Sequence, residues 1–317
     1  MATMQLIFLV PSNANAWSST LLRGNQLCDI SRRYLGDKFE CKALRMPLSG
    51  KRHPKRAFTT GHQLAWMATC PRDAIYFVTK QCMERLHPVS IEVLRWRSRG
   101  VLFDYLDADL ESVSMRGAGI HVCASKAQYQ YMERTQRLSN SGSVAFLPHG
   151  YDCRLPRCAP TTGPVRTAYW GASKNTYIPE AINNKIYSID GTAEPTTDTL
   201  NRLSKYRLHY CVRKPCVDIG KTIFKPLTKA ANAAACGANI IINRDAYDAV
   251  DLLGTDYPYF VDANDDIDIY NVLESAIHGT DSPEWLKARN IMNSLAAQLS
   301  PESIARQLDT ILQPLVE

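Results

Sequence analysis

Apolar residues fall along the first half of the chain in short unbroken runs separated by amphipathic stretches. Residues 5–11 (QLIFLVP), 39–46, 74–79 (AIYFVT), 101–106 (VLFDYL), 120–124 (IHVCA) and 144–148 (VAFLP) read as strands. Between them, 20–35 sets Leu21, Leu22, Leu27, Ile30 and Leu35 at helical spacing, and 90–99 reads as a second helix. Strands that are continuous apolar runs and alternate with helices predict a parallel sheet buried on both faces. Residues 152–164 break the pattern: Pro156, Pro160, Gly163 and Pro164 crowd together without periodicity, as in a linker. The rhythm then resumes with strands at 166–170, 185–189, 207–213, 239–243 and 259–261. Two helices close the chain. Ser282-Pro283-Glu284 and Ser300-Pro301-Glu302 each offer a Ser N-cap, Pro at the first helical position and an acid in the first turn. The expected fold class is therefore α/β, two tandem Rossmann-like doubly wound domains. They span 1–152 and 165–317, the second carrying C-terminal helices.

Composition adds little to that picture, and charge adds more. The 317 residues are 45% hydrophobic and 21% charged, enough apolar material for a core. No apolar run reaches the roughly 18 residues that cross a bilayer, and 5–10 is too short for a secretory signal, so a cytoplasmic location is expected. The ten cysteines show no CxxC pair and no metal spacing, and read as reduced and mostly buried. Residues 1–150 carry 20 Lys and Arg against 11 Asp and Glu, a net +9, while the remainder is −3. A field of that sign draws an anionic partner to the first half.

The densest chemistry lies at 224–244, FKPLTKAANAAACGANIIINR. Pro226 suits the start of a helix, the alanines its body and Gly237 its end. Lys225, Lys229 and Asn232 then share one face. Two lysines at a helix's positive end make sense around an anion, and a diphosphate suits both the free N–H groups and the ammonium groups. Thr228 and Pro226 complete this candidate set. Residues 169–175 (YWGASKN) follow the first strand of the second half. There Gly171 and Ser173 let backbone approach a ligand, and Lys174 reaches for a phosphate. Arg213 stands at the carboxyl end of LHYCVR, the ligand side of such a sheet.

These segments resemble the donor-binding part of GT-B glycosyltransferases of the group 1 class. The likeness rests on 224–244, on 144–152 (VAFLPHGYD) as the strand into the domain crossover, on 169–175 as the first donor-domain loop, and on 259–267 (YFVDANDDI). It implies a donor domain in the second half, a C-terminal helix returning to the first domain, and a nucleotide-diphosphate sugar, a UDP-sugar among others, as substrate. It also implies no cofactor and no obligatory metal, because protein charges stand in for the ion. Many members carry two glutamates eight apart around the helix; here Phe224 and Asn232 occupy those positions. Retention or inversion is left open.

A rival signal is LDADL at 106–110, the acidic form that holds a metal in the GT-A class. Asp104 and Asp107 are read instead as strand-end residues, either one a base for an acceptor hydroxyl. His149, at the crossover, is a third catalytic candidate; His62 is another, and His121 reads as a core residue. The clusters at 51–56 (KRHPKR, with His53) and at Arg95, Arg97 and Arg99 read as a basic face for acceptor phosphate or the inner membrane surface. Trp17, beside Asn13 and Asn15, is a candidate acceptor-site aromatic. The function expected is transfer of a sugar to a hydroxyl of an anionic or lipid-linked glycan, as in polysaccharide biosynthesis. A transferase acting on modified DNA bases, a nucleotide-sugar epimerase and a non-catalytic nucleic-acid-binding protein are the alternatives.

Overall fold

The computed structural model describes residues 3–11, 21–47, 56–110, 119–136, 142–156, 164–191, 195–213 and 222–317, with the side chains of 56–59 and 136 left aside. The chain divides into two compact units. Unit 1 comprises Met1–Pro148, Lys221–Lys225 and Pro301–Glu317; unit 2 comprises His149–Gly220 and Pro226–Ser300.

In unit 1 the apolar runs become β1 (Met4–Pro11), β2 (Phe39–Met46), β3 (Ile75–Val78), β4 (Gly100–Asp104), β5 (Ile120–Cys123) and β6 (Ser143–Phe146). They form one sheet in the order β2-β1-β3-β4-β5-β6, every pair parallel. Alternate residues feed opposite faces, as the period of a strand demands. Ile7, Leu9, Tyr76, Val78 and Phe103 join one core; Leu6, Phe8, Ile75, Phe77 and Leu102 join the other. The helices of this unit are α1 (Leu27–Tyr34), α2 (Arg56–Thr69), α3 (Lys80–Met83), α4 (Pro88–Arg97), α5 (Lys126–Gln136) and the chain's last helix, Pro301–Val316. That last helix buries Ile304, Ala305, Leu308 and Leu312 in the second core, which is the return to the first domain that the family likeness implies. Arg99 fastens its end, donating from Nε to the Leu315 carbonyl at 2.6 Å and from Nη2 to that of Val316 at 2.8 Å.

Two expectations for unit 1 are corrected. The single helix over 20–35 is a π-helical turn, Leu21–Gln26, leading into α1. The wider turn brings Arg23 and Gly24 inward. A Cβ on Gly24 would stand 2.5 Å from Val10 Cγ1, so only glycine lets the turn press on β1. The arginines at 95, 97 and 99 are committed to the chain itself: Arg95 pairs with Glu92 at 2.8 Å, and Arg97 donates to the carbonyls of Ala68 and Cys70. Lys51, Arg52, His53, Lys55, Trp17, Asn13 and Asn15 lie outside the described residues, as does the side chain of Arg56.

Unit 2 holds β7 (Thr167–Gly171), β8 (Ile186–Asp190), β9 (Leu208–Cys211), β10 (Asn239–Asn243) and β11 (Phe260–Val261). They form a parallel sheet in the order β11-β10-β9-β7-β8. Its helices are α6 (Thr197–Leu203), α7 (Thr228–Ala235), α8 (Ala249–Leu253), α9 (Asp266–His278) and α10 (Pro283–Gln298). Ala230, Ala231, Ala233 and Ala234 are all buried; their small side chains let α7 lie close on the sheet. The Ser282 cap forms as expected, its Oγ accepting from the Trp285 N–H at 3.1 Å. Among the described residues no helix is long and apolar enough to cross a membrane.

His209, in the middle of β9, sets a pH limit on this unit. Burial pushes its imidazole down from 6.5 to about 4, so the folded state holds it neutral while the unfolded chain binds a proton. Stability from this residue is complete above pH 6.5 and is lost as pH falls toward 4. The loss amounts to about 3 kcal/mol, at 1.36 kcal/mol per pKa unit. Urea titrations between pH 7 and 4 should show that decline, and His209→Gln should flatten it. An equal slope in the two proteins would refute the assignment.

Candidate functional site

In each sheet the strand order reverses beside the first strand of the unit, and in unit 2 this happens between β7 and β9. Ligands of open α/β sheets bind outside the carboxyl ends of the strands at such a point. The chain at the end of β7 is Gly171-Ala172, followed by a 3₁₀ turn, Ser173–Asn175. Gly171 has φ +154°, and a Cβ there would stand 2.6 Å from Tyr169 Oη and 3.1 Å from Lys229 Cε. The glycine is thus needed where strand, turn and α7 converge. Gly191, just after β8, presses on it in turn: a Cβ there would stand 2.6 Å from Gly171 Cα.

Lys229, on the first turn of α7, extends over the Tyr169 ring, with Nζ 4.7 Å from the centroid and 3.4 Å from Oη. The Tyr169 hydroxyl donates to the Ala172 carbonyl at 2.7 Å, which ties the loop back to the strand. Burial pushes that phenol up to about 12, with the charge of Arg213 opposing the shift, so it stays protonated and can donate. Arg213 follows β9. Its N–H donates to Asn243 Oδ1 at 2.8 Å, and Asn243 Nδ2 donates back to the Arg213 carbonyl at 2.6 Å. This reciprocal pair locks the ends of β9 and β10 together. The guanidinium Nε of Arg213 is buried without a hydrogen-bond partner among the described residues. A buried donor left unmade is costly, and the deficit calls for an acceptor.

The structure therefore gathers Gly171, Lys229 and Arg213 at one sheet edge, with Ser173 and Lys174 exposed on the adjoining turn. Other candidates part from this group. α7 starts at Thr228, with Leu227 in the cap position, so Pro226 is not its first residue and Lys225 is not on its face. Lys225 belongs to unit 1. Asn232 is buried, and its Oδ1 accepts from the Asp152 N–H at 3.0 Å; it holds the segment after β6 against α7. Asp152 itself pairs with Arg154 at 2.8 Å.

At the carboxyl edge of the unit 1 sheet, Asp104 ends β4 fully buried and does not face a cleft. Its carboxylate receives Arg23 Nη2 at 2.7 Å and Nε at 3.2 Å. Arg23 Nη1 donates to the carbonyls of Leu147 and Pro148, each at 3.1 Å. Burial raises the Asp104 carboxyl and the Arg23 charge opposes it. Asp107 is partly exposed and pairs with Lys80 at 2.7 Å. Asp109 Oδ1 accepts from the Thr222 N–H at 3.1 Å. His149, grouped with unit 2, is buried and places Nδ1 2.8 Å from the Gly150 carbonyl, which can only accept, so Nδ1 donates. His121 is a core residue, its Nδ1 2.8 Å from the Tyr105 hydroxyl.

No family model matches the chain, and no curated protein sequence does. Solved structures do match, over its whole length. A glycosyltransferase from Rickettsia africae is similar with TM-score 0.63 at 10% identity, covering 100% of both chains. Sucrose-phosphate synthase from Thermosynechococcus elongatus gives 0.65 at 12% identity over 98% of this chain and 99% of that one. A UDP-forming α,α-trehalose-phosphate synthase from Burkholderia vietnamiensis gives 0.61 at 11% identity over 99% of each. The fold is GT-B. Its two sheets of six and five parallel strands and its returning last helix are accounted for on that pattern.

Three residues at this edge of the unit 2 sheet escape a linear reading: Tyr169, Gly191 and Asn243. Asn243 had a signal, a polar residue closing the apolar run III at 240–242 at the strand's carboxyl end. Tyr169 had none, because nothing in YWGASKN says that a lysine sixty residues later lies on its ring.

Proposed function

We propose that the protein is a glycosyltransferase that uses a nucleotide-diphosphate sugar, with unit 2 as the donor domain. The observation that carries the reading is the buried Arg213 Nε without an acceptor among the described residues, at the switch point that also holds Lys229 and the close-approach glycine, Gly171. A diphosphate would accept from Arg213 and Lys229, with Lys174 and Ser173 reaching from the turn. As the sugar leaves, negative charge grows on the diphosphate, and these fixed positive groups stabilise it most at that moment. Similar structures include synthases named as UDP-forming, one of them in complex with glucose-6-phosphate. These names support UDP as the nucleotide and an anionic, sugar-like acceptor, a phosphorylated or lipid-linked glycan included. The +9 first half suits such an acceptor, and Asp107 is its proposed base.

A panel of nucleoside diphosphates tests the donor assignment by thermal shift. A ligand at a hundred times its Kd adds about 2.7 kcal/mol; no shift with any of them would overturn it. Metal dependence separates this reading from the LDADL rival. Asp107 is held by Lys80 and Asp109 by the Thr222 amide, so the proposed transfer runs on protein charges. Turnover should survive EDTA. Complete loss, restored by manganese, would make Asp107 and Asp109 metal ligands.

A further inference from the structure

We propose that Lys80 is the positioning residue that presents Asp107 to the acceptor, an inference that rests on the transferase reading above. Lys80 opens α3 directly after β3, and Asp107 lies on the turn after β4, the neighbouring strand. The ammonium group grips Asp107 twice, at the carboxylate Oδ1 (2.7 Å) and at its own main-chain carbonyl (3.3 Å). A single cation thus fixes both the backbone and the side chain of one residue.

The backbone there is held against its preference. Leu106 is buried with φ +48°, a left-handed conformation that a leucine adopts only where its surroundings enforce it. The Ala108 N–H closes the turn onto the Tyr105 carbonyl at 2.7 Å. A turn fixed by packing, a hydrogen bond and an ion pair orients one side chain closely, as a group that must meet a substrate atom requires. Lys80 bonds Oδ1 and the main-chain carbonyl of Asp107 and not Oδ2, on a side chain that is 38% exposed.

The neighbouring carboxylates are differently employed. Asp104 is sealed against Arg23, and Asp109 receives a backbone amide. Glu84 stands 3.9 Å from Lys80, and burial raises its carboxyl. In the transfer step the acceptor O–H proton passes to Asp107 Oδ2 while the acceptor oxygen bonds to the anomeric carbon. The bond from that carbon to the diphosphate breaks, and its electron pair leaves with the nucleoside diphosphate. Lys80 touches no reacting atom. It holds the carboxylate still.

Donor hydrolysis, with water as acceptor, tests this without a known acceptor. The readout is nucleoside diphosphate release from UDP-, GDP- and ADP-linked glucose, with donor affinity measured separately by calorimetry. Lys80→Met should lower kcat about tenfold to a hundredfold and leave donor Kd unchanged. Lys80→Arg, which keeps the ion pair, should recover most of the loss, and Glu84→Gln should change neither quantity. Asp107→Asn should match Lys80→Met, and the double variant should fall no further. Wild-type kcat in a folded Lys80→Met, or an Arg variant as poor as the Met variant, would overturn the proposal. A wild-type chain that binds none of the donors would overturn the transferase reading itself, and this inference with it.

Discussion

Arg23→Met is expected to lower the free energy of unfolding by about 3–5 kcal/mol, the usual cost of stranding one member of a buried ion pair. Arg23 and Asp104 have side-chain exposures of 3% and 0%, so the orphaned carboxylate would have no water to replace the guanidinium. The carbonyls of Leu147 and Pro148 would lose their donor in the same stroke. Replacing both partners, as Arg23→Met with Asp104→Leu, should recover much of the loss, since an apolar pair leaves no buried charge behind. Urea unfolding of the two variants measures this directly. An Arg23→Met protein within 1 kcal/mol of wild type would show that the pair is not the anchor its geometry indicates. A result of the expected size places Asp104 among the residues that build unit 1.

Lys229→Ala should weaken nucleoside diphosphate binding by about tenfold to a hundredfold, the 1.5–3 kcal/mol of a hydrogen bond to a charged group. The ammonium group is already poised over the Tyr169 ring beside Gly171, so little ordering remains to be done when the anion arrives. Lys287→Ala is the control. Its ion pair with Asp256 is solvent-exposed and should affect neither binding nor, measurably, stability. Calorimetric titration that finds equal affinity in wild type and Lys229→Ala would remove Lys229 from the donor site.

Much of the fold was legible because its strands are buried on both faces. LIFLV at 6–10, AIYFV at 74–78 and III at 240–242 are apolar without interruption, and such runs, spaced by helical stretches, have few solutions other than parallel sheets covered by helices. The breaks of pattern were harder to read. The π-helical turn at Leu21–Gln26 carries the same leucine spacing as an ordinary helix; what widens it is the inward pull of Asp104 on Arg23, eighty-one residues away. α7 begins two residues later than Pro226 suggests, because the chain up to Lys225 is still paired with unit 1, where the Thr222 carbonyl accepts from the Leu110 N–H.

The same division runs through the site. By itself the sequence determined which segments lie at the carboxyl ends of the strands, because each apolar run has a readable end and direction. Gly171, Ser173, Lys174 and Arg213 were therefore within reach of a linear reading, and Lys229 was reached through the helical spacing of 224–244. Only the tertiary structure decided how these residues are partnered. It set Lys229 on Tyr169, locked Arg213 to Asn243, turned Asn232 inward to Asp152, and separated a sealed Asp104 from a partly exposed Asp107 paired with Lys80. The physical reason is that local pattern fixes the period and the end of an element, whereas the environment of a charge depends on what packs against it. Among the described residues the ion-pair partners come from 2 to 271 positions away along the sequence.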